Sequence, residues 1–226
     1  MGSPFLGFIM SFIKKIFNLK LWFQFLRYAF DEFLRHQSRM DRINSLRYRG
    51  ENTKIETKVS ITHPSRMRIG KWCTIQTNTL LATMGGLYIG DYVGIGYNTT
   101  ITTFNHNYRK SKSIPYDNKV FLQPVVIRNY AWIGWDVKIT PGIEIGEGAI
   151  ISMGSVVTKD VPPRAIVLGN PAKIIGYRSE EHFEQCKSEG HVNSVRILQE
   201  FGKFEEIIPM MVKRRYSTEL RELGIL

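Results

Sequence analysis

The sequence predicts an all-β solenoid, a parallel β-helix built from hexapeptide repeats, with an N-terminal helical arm and a partly helical C-terminal tail. Isoleucine or valine stands at every sixth position over one long stretch: Ile127, Ile133, Ile139, Ile145, Ile151 and Val157. An α-helix repeats every ~3.6 residues and a strand every two, so neither produces this spacing. A hexad period belongs to a three-sided coil in which each repeat forms one face. Glycine then follows the aliphatic residue at Gly70, Gly90, Gly96, Gly134 and Gly146, a corner slot where it accepts backbone torsions that side chains resist. The register also runs backwards through Ile89, Ile95 and Ile101, and through Ile69, Ile75 and Leu81, with Ile55 and Ile61 as the first rung. Three hexads close a coil of about 18 residues, with parallel strands roughly 4.8 Å apart.

In chain order, residues 1–50 form the arm. Phe8, Phe12, Ile16, Leu19, Phe23, Leu26, Phe30 and Phe33 recur near helical spacing, with Lys14, Lys15, Lys20, Arg27 and Arg35 between them. A membrane-spanning helix needs about 20 predominantly apolar residues, and these lysines interrupt the run. A secretory signal would begin with charge and end at small residues, which this stretch does not do. Two roles stay open for residues 5–34. One is an amphipathic helix pair packed on the solenoid or on neighbouring subunits; the other is an interfacial helix on the cytoplasmic leaflet.

Residues 51–178 form the solenoid. Two extra residues around Gly85-Gly86 fit a bulge between coils. Across residues 103–124 the period vanishes and the chain turns polar, which reads as a loop thrown out of the coil. Loops longer than about 12–15 residues are uncommon in compact domains and usually carry function. After Pro162-Pro163 the hexads stop, and Gly169-Asn170-Pro171-Ala172-Lys173 turns away from the last coil. Residues 179–226 mix helical pattern with charge, around Phe183 and the run 195–201. An open solenoid end exposes backbone groups and core, so this tail is expected to cap it.

The chain of 226 residues suits one domain with appendages; 43% hydrophobic and 23% charged residues are ordinary for a globular protein. Cys73 occupies an inner slot of the solenoid and Cys186 lies far away, a spacing that suits neither a metal nor a redox pair. A reducing compartment, hence the cytoplasm, is the expected location. The net charge of +11 would suit nucleic acid, an anionic membrane or phosphorylated small molecules. No nucleic-acid module or aromatic stacking platform accompanies it, so nucleic acid is not expected as a partner.

The stretch from Pro124, reading Pro-Val-Val-Ile-Arg-Asn-Tyr-Ala-Trp-Ile-Gly, through Gly-Ser-Val-Val-Thr-Lys-Asp-Val-Pro-Pro to Gly-Asn-Pro-Ala-Lys, resembles the hexapeptide-repeat acyltransferases. It is most similar to the branch of maltose, galactoside and polysaccharide O-acetyltransferases. That resemblance implies a left-handed β-helix, a homotrimer, and acetyl-CoA bound in the groove between adjacent subunits. The family's catalytic histidine lies in patterns such as Asp-His-Asn-His-Asn-Tyr, and here the segment reads Thr103-Phe104-Asn105-His106-Asn107-Tyr108. His106 matches the second histidine and takes the role of base. Thr103 and Phe104 replace the acidic residue and the first histidine, which opens the question of what orients the imidazole. The resemblance also places Trp135 beside the pantetheine arm, with Trp132 flanking the same Ile133-Gly134 pair, and Met153 and Gly154 at the coil edge that contacts that arm. Thr158 and Lys159 fall at the nucleotide end, Lys173 near the phosphates, and Arg178 is a second cation for them. No metal is expected. A γ-class carbonic anhydrase would need three histidine ligands, and only His63 and His106 lie in or near the solenoid.

These residues suit acyl transfer without a covalent intermediate. A sugar hydroxyl is a poor nucleophile, whereas a thioester is already activated. A neutral imidazole that takes the hydroxyl proton as oxygen attacks is worth about 10²–10⁴ in rate. The expected function is an acetyl-CoA-dependent O-acetyltransferase acting on a saccharide, such as a surface-polysaccharide precursor. Its alternatives are N-acetylation of a nucleotide-linked amino sugar and, in another class, a non-catalytic solenoid scaffold.

Overall fold

The short strands close into three parallel sheets because every hexad turns one aliphatic side chain inward, where only the coils above and below can cover it. The structure, a computed structural model, describes residues 4–190, 210–215 and 221, and the side chains of these apart from residues 4–19, 36, 39, 212 and 213. The foreseen run at 195–201, and the side chains of Phe8, Phe12, Lys14, Lys15, Ile16 and Leu19, lie outside the described residues.

Three inward ladders form the core. Ile69, Ile89, Ile127 and Ile145 stack on the first sheet. Ile55, Ile75, Ile95, Ile133, Ile151 and Val167 stack on the second. Ile61, Leu81, Ile101, Ile139 and Val157 stack on the third. All are buried. Full burial of one such side chain contributes about 1.5–3 kcal/mol. On the second sheet the pairing steps by 20, 20, 38 and 18 residues from Ile55 to Ile151. The early coils therefore carry the two-residue excess, and the long step skips the inserted segment without losing register.

The glycines after the aliphatic residues are required for a different reason from the one their position suggests. Positive φ occurs three residues after the inward side chain, at Trp72, Asn78, Tyr92, Asn98, Tyr130, Asp136, Gly142, Gly148 and Gly154. Gly96 and Gly134 are not among the positive-φ residues; they are places where stacked coils approach closely. A β-carbon on Gly96 would lie 2.6 Å from Trp135 Cδ1, and one on Gly134 would lie 2.8 Å from Ile151 O.

Polar groups inside the coil are satisfied locally. The Thr79 and Thr99 hydroxyls donate to the carbonyls of Gly96 and Gly134. The Cys73 thiol lies 3.0 Å from Gly90 O, and burial pushes it up to about 11, so it stays protonated and packs as a small apolar group.

Both solenoid ends are covered. Helix α1 (Pro4–Asn44) is one continuous helix, not the helix pair considered above, and its last turn places Ile43 in the core. Further up α1, Leu21, Trp22, Phe23, Phe25, Leu26, Tyr28, Phe30, Phe33 and Leu34 are all exposed, so this stretch does not pack on its own solenoid. No described helix is long and apolar enough to cross a membrane. At the other end, strand Ala165–Leu168 adds a parallel rung, Gly169 turns at φ +104, and strand Lys173–Tyr177 returns antiparallel. Helix α2 (Glu180–Ser188) follows, with the Ser179 hydroxyl accepting from the His182 N–H. Phe183 of α2 is buried against Gly148, where a β-carbon would lie 2.5 Å from the ring.

Ile133→Ala should lower unfolding stability by about 2–5 kcal/mol in chemical denaturation, because it empties a fully covered slot between two rungs. Ile174→Ala, on an exposed position of the returning strand, should change it far less.

Candidate active site

The chain leaves the solenoid at the corner where the earlier coils already bulge. Buried Thr83 accepts from the His63 N–H and donates to His63 O. One coil later, Thr103 repeats the device: its hydroxyl donates to Ala82 O at 2.8 Å and accepts from the Gly85 N–H at 2.8 Å. The Gln123 N–H then donates to Thr103 O, so the two ends of the inserted segment are tied together. Residues 103–124 are accordingly not an irregular loop throughout. Strand Phe104–His106 pairs antiparallel with Val120–Leu122, which makes the insert a hairpin standing off the corner.

Beyond the strands a polar clasp shapes the tip. Asn107 is only 4% exposed, and its Nδ2 donates to Asp117 Oδ2 at 2.9 Å and to Lys110 O at 3.2 Å. The Asp117 carboxylate also accepts the N–H groups of Lys119 and Lys112. These bonds, led by the Lys119 N–H, hold its carboxyl below the usual aspartate value.

His106 sits at the end of the first hairpin strand, half-buried. Its ring stacks on Tyr116, with centroids 4.0 Å apart and planes 20° from parallel, and meets the Phe104 ring edge-on at 6.1 Å. Its backbone N–H donates to Asn105 Oδ1. No described residue hydrogen-bonds either ring nitrogen. The imidazole is therefore oriented by two aromatic rings, and Thr103 is occupied in the solenoid wall. Sequence reasoning did not single out Tyr116, Asn107 or Asp117. Their only signal is the conjunction of Tyr116-Asp117 with Asn107 ten residues earlier, and cross-hairpin pairing has no period to reveal it.

The other candidate residues occupy distinct parts of the coil. Trp135 packs over Gly96, lies edge-on to Tyr97 at 6.5 Å, and its carbonyl accepts from the Gly154 N–H at 2.9 Å. Trp135, Met153 and Gly154 thus stack at the corner between the second and third sheets, where Trp135 is 54% and Met153 64% exposed. A β-carbon on Gly154 would touch nothing within 4 Å, so that backbone is open to an approaching ligand. Trp132 stands on the adjoining sheet face, paired with Gly94 and Ile150, while Gly134 lies beneath in the coil contact. Thr158 and Lys159 are exposed just after the last rung of the third sheet. Lys173 begins the returning strand, beside a turn fastened by the Ala172 N–H to Val156 O. Arg178 departs from this group: its Nε donates to Gly148 O at the corner between the first and second sheets, and burial lowers its pKa. Among the described residues no three His, Cys, Asp or Glu side chains converge as a metal site.

The geometry therefore separates the candidate base from the candidate thioester channel. The hairpin bearing His106 leaves from the corner between the third and first sheets, whereas Trp135, Met153 and Gly154 occupy the next corner round the prism.

No protein-family model matches the chain. Galactoside O-acetyltransferase of Escherichia coli (strain K12) is 32% identical over 126 residues, covering 56% of this chain and 61% of that protein, so the chain spans less than two thirds of this relative's length. A hexapeptide-repeat-containing acetyltransferase of Vibrio cholerae O1 biovar eltor, solved in complex with acetyl coenzyme A, aligns with TM-score 0.56 at 28% identity, covering 60% of this chain and 73% of that one. A maltose O-acetyltransferase of Clostridium difficile 630 aligns with TM-score 0.56 at 29% identity, covering 64% and 76%. Likeness in sequence and likeness in fold converge on the same kind of protein, and over its solenoid the chain is similar to the hexapeptide-repeat acetyltransferases.

Proposed function

We propose that the chain is an acetyl-CoA-dependent O-acetyltransferase, acting on a saccharide hydroxyl with His106 as general base and working as a homotrimer. The observation that carries this reading is the aromatic seat of His106. An imidazole with both nitrogens unengaged by the described residues is stacked on Tyr116 and edged by Phe104, outside the solenoid wall. A histidine needed only for structure would be expected to bond through its ring.

In this reading His106 takes the proton of the acceptor hydroxyl while its oxygen bonds to the thioester carbon. The tetrahedral oxyanion is met by backbone N–H groups of the coil edge. Collapse breaks the carbon–sulfur bond, and the imidazolium returns the proton to the departing thiolate, so no covalent enzyme intermediate forms. Trp135, Trp132, Met153 and Gly154 flank the pantetheine arm, with Gly134 holding the coils close. Thr158, Lys159 and Lys173 serve the nucleotide and its phosphates, for which charge-assisted hydrogen bonds are the natural contact, whereas Arg178, engaged with Gly148 O at another corner, is left out of that set. The base and the channel occupy different corners of one prism, which favours a site completed across a subunit boundary. Holding both substrates there contributes a further entropic share.

The acceptor in this proposal is a surface-polysaccharide precursor handled in the cytoplasm, with α1 resting on the inner face of the membrane. At 100° per residue, Lys20, Gln24, Arg27, Asp31 and Arg35 share one stripe, while Trp22, Phe25, Leu26, Phe30 and Phe33 spread over the opposite arc. A broad apolar arc opposite a stripe that carries Lys20, Arg27 and Arg35 suits an anionic bilayer surface, although Glu32 stands at one edge of the arc and pairs with Arg35.

His106→Ala should lower kcat by about 10²–10⁴-fold in a free-thiol assay of CoA release, with an unchanged unfolding transition. Transfer undiminished by this change would remove His106 as the base, and a parallel panel of amino sugars separates O- from N-transfer. Asp117→Asn should speed hydrogen exchange at the Lys112 and Lys119 amides. In the native chain the same opening should set in as pH falls through the lowered pKa of Asp117, since that contribution is present only while the carboxyl is ionised. Trp22→Glu with Phe30→Glu should abolish co-sedimentation of the full chain with anionic vesicles. A native chain that ignores such vesicles would refute the membrane contact.

A further inference from the structure

A second concave feature lies directly beneath the hairpin. A groove of about 520 Å³ runs from the departing corner onto the first sheet, and Arg47, Arg66 and Arg68 all open into it, against Met84, Leu122 and Pro124. Two of these arginines are positioned in advance. Arg66 Nη1 donates to Met84 O, and the Arg68 guanidinium sits 5.1 Å over the Tyr48 ring. None of the three forms an ion pair among the described residues, whereas further along the same sheet Arg128 binds Glu144 at 2.7 Å. Three like charges converging on one apolar-walled groove repel one another, and no acidic side chain among the described residues pairs with any of them. Guanidinium groups are weakly hydrated planar forks, suited to bidentate contact with phosphate oxygens.

We infer that this groove binds the phosphate or diphosphate of the acceptor, so that the saccharide is presented to His106 on a phosphate-bearing carrier. The inference rests on the acetyltransfer reading for the identity of the ligand, but the anion site itself stands on the three arginines. Leu122 lines the groove and pairs with Phe104, two residues from His106 on the same strand. An anion held there is thereby indexed to the imidazole through the hairpin. The groove lies at a different corner from Trp135, Met153 and Gly154, and so away from the channel proposed for acetyl-CoA. A nucleotide carrier and a lipid diphosphate carrier share this chemistry, and both would be read by the same forks.

The test is calorimetric titration of the full-length chain with inorganic pyrophosphate in the presence of saturating CoA. Arg66→Gln with Arg68→Gln should weaken pyrophosphate binding by at least about tenfold, and Arg47→Gln, outside any strand, should weaken it severalfold without touching the coil. His106→Ala should leave it unchanged, which separates failure of this inference from failure of the catalytic reading. Pyrophosphate binding should also fall steeply with added salt. Binding that survives all three arginine changes, or that CoA abolishes, would place the anion elsewhere and overturn the proposal. With the native chain, a soluble sugar diphosphate that competes with pyrophosphate would point to a nucleotide-type carrier. Competition only by a lipid-linked diphosphate in neutral vesicles would point to a lipid carrier. Competition by anionic phospholipid vesicles alone, with no response to either diphosphate, would assign the groove to a membrane surface and overturn the proposal as well.

Discussion

Everything in this molecule hangs on the stacking of aliphatic side chains between coils. One coil cannot bury its own inward residues; Ile133 is covered only because Ile95 lies on one side and Ile151 on the other. The stack fixes the rotational phase of each coil, and with it the outward ladder and the three corners. A residue's functional address is then its distance along the hexad. That is how Trp135, Met153 and Gly154 reach one corner while Arg178 reaches another, although all lie in or next to the coils.

An insertion into such a stack is tolerated where backbone groups can be satisfied without the ladder. The corner of Thr62, Thr83 and Thr103 meets this condition, since threonine hydroxyls there accept and donate in place of the missing rung bonds. The hairpin then adds order of its own through the Asn107–Asp117 clasp and the rings around His106. Its rigidity comes from hydrogen bonds and stacking, because it stands clear of the aliphatic core. An imidazole mounted in this way needs no carboxylate partner to hold its ring plane.

The capping of the two ends follows from the same constraint. The last rungs would expose both apolar interior and unpaired backbone groups, so Ile43 closes one end, and the Lys173–Tyr177 strand with Phe183 closes the other. The exposed apolar side chains of α1 between Leu21 and Leu34 take no part in this capping.

The hexad period by itself determined the architecture, the inward residues and the point at which the chain leaves the coil, because burial in a repeating coil imposes a repeating composition. His106 drew attention for the same reason, since it stands just past the break in the period. The purpose of the corner glycines was misjudged from sequence, because close approach between coils and positive φ both select glycine and only coordinates separate them. The hairpin form of the insert, the Tyr116 stack, the Asp117 clasp and the convergence of Arg47, Arg66 and Arg68 were decided by tertiary structure alone. Each joins residues across a turn, a hairpin or successive coils, and such contacts leave no period along the chain.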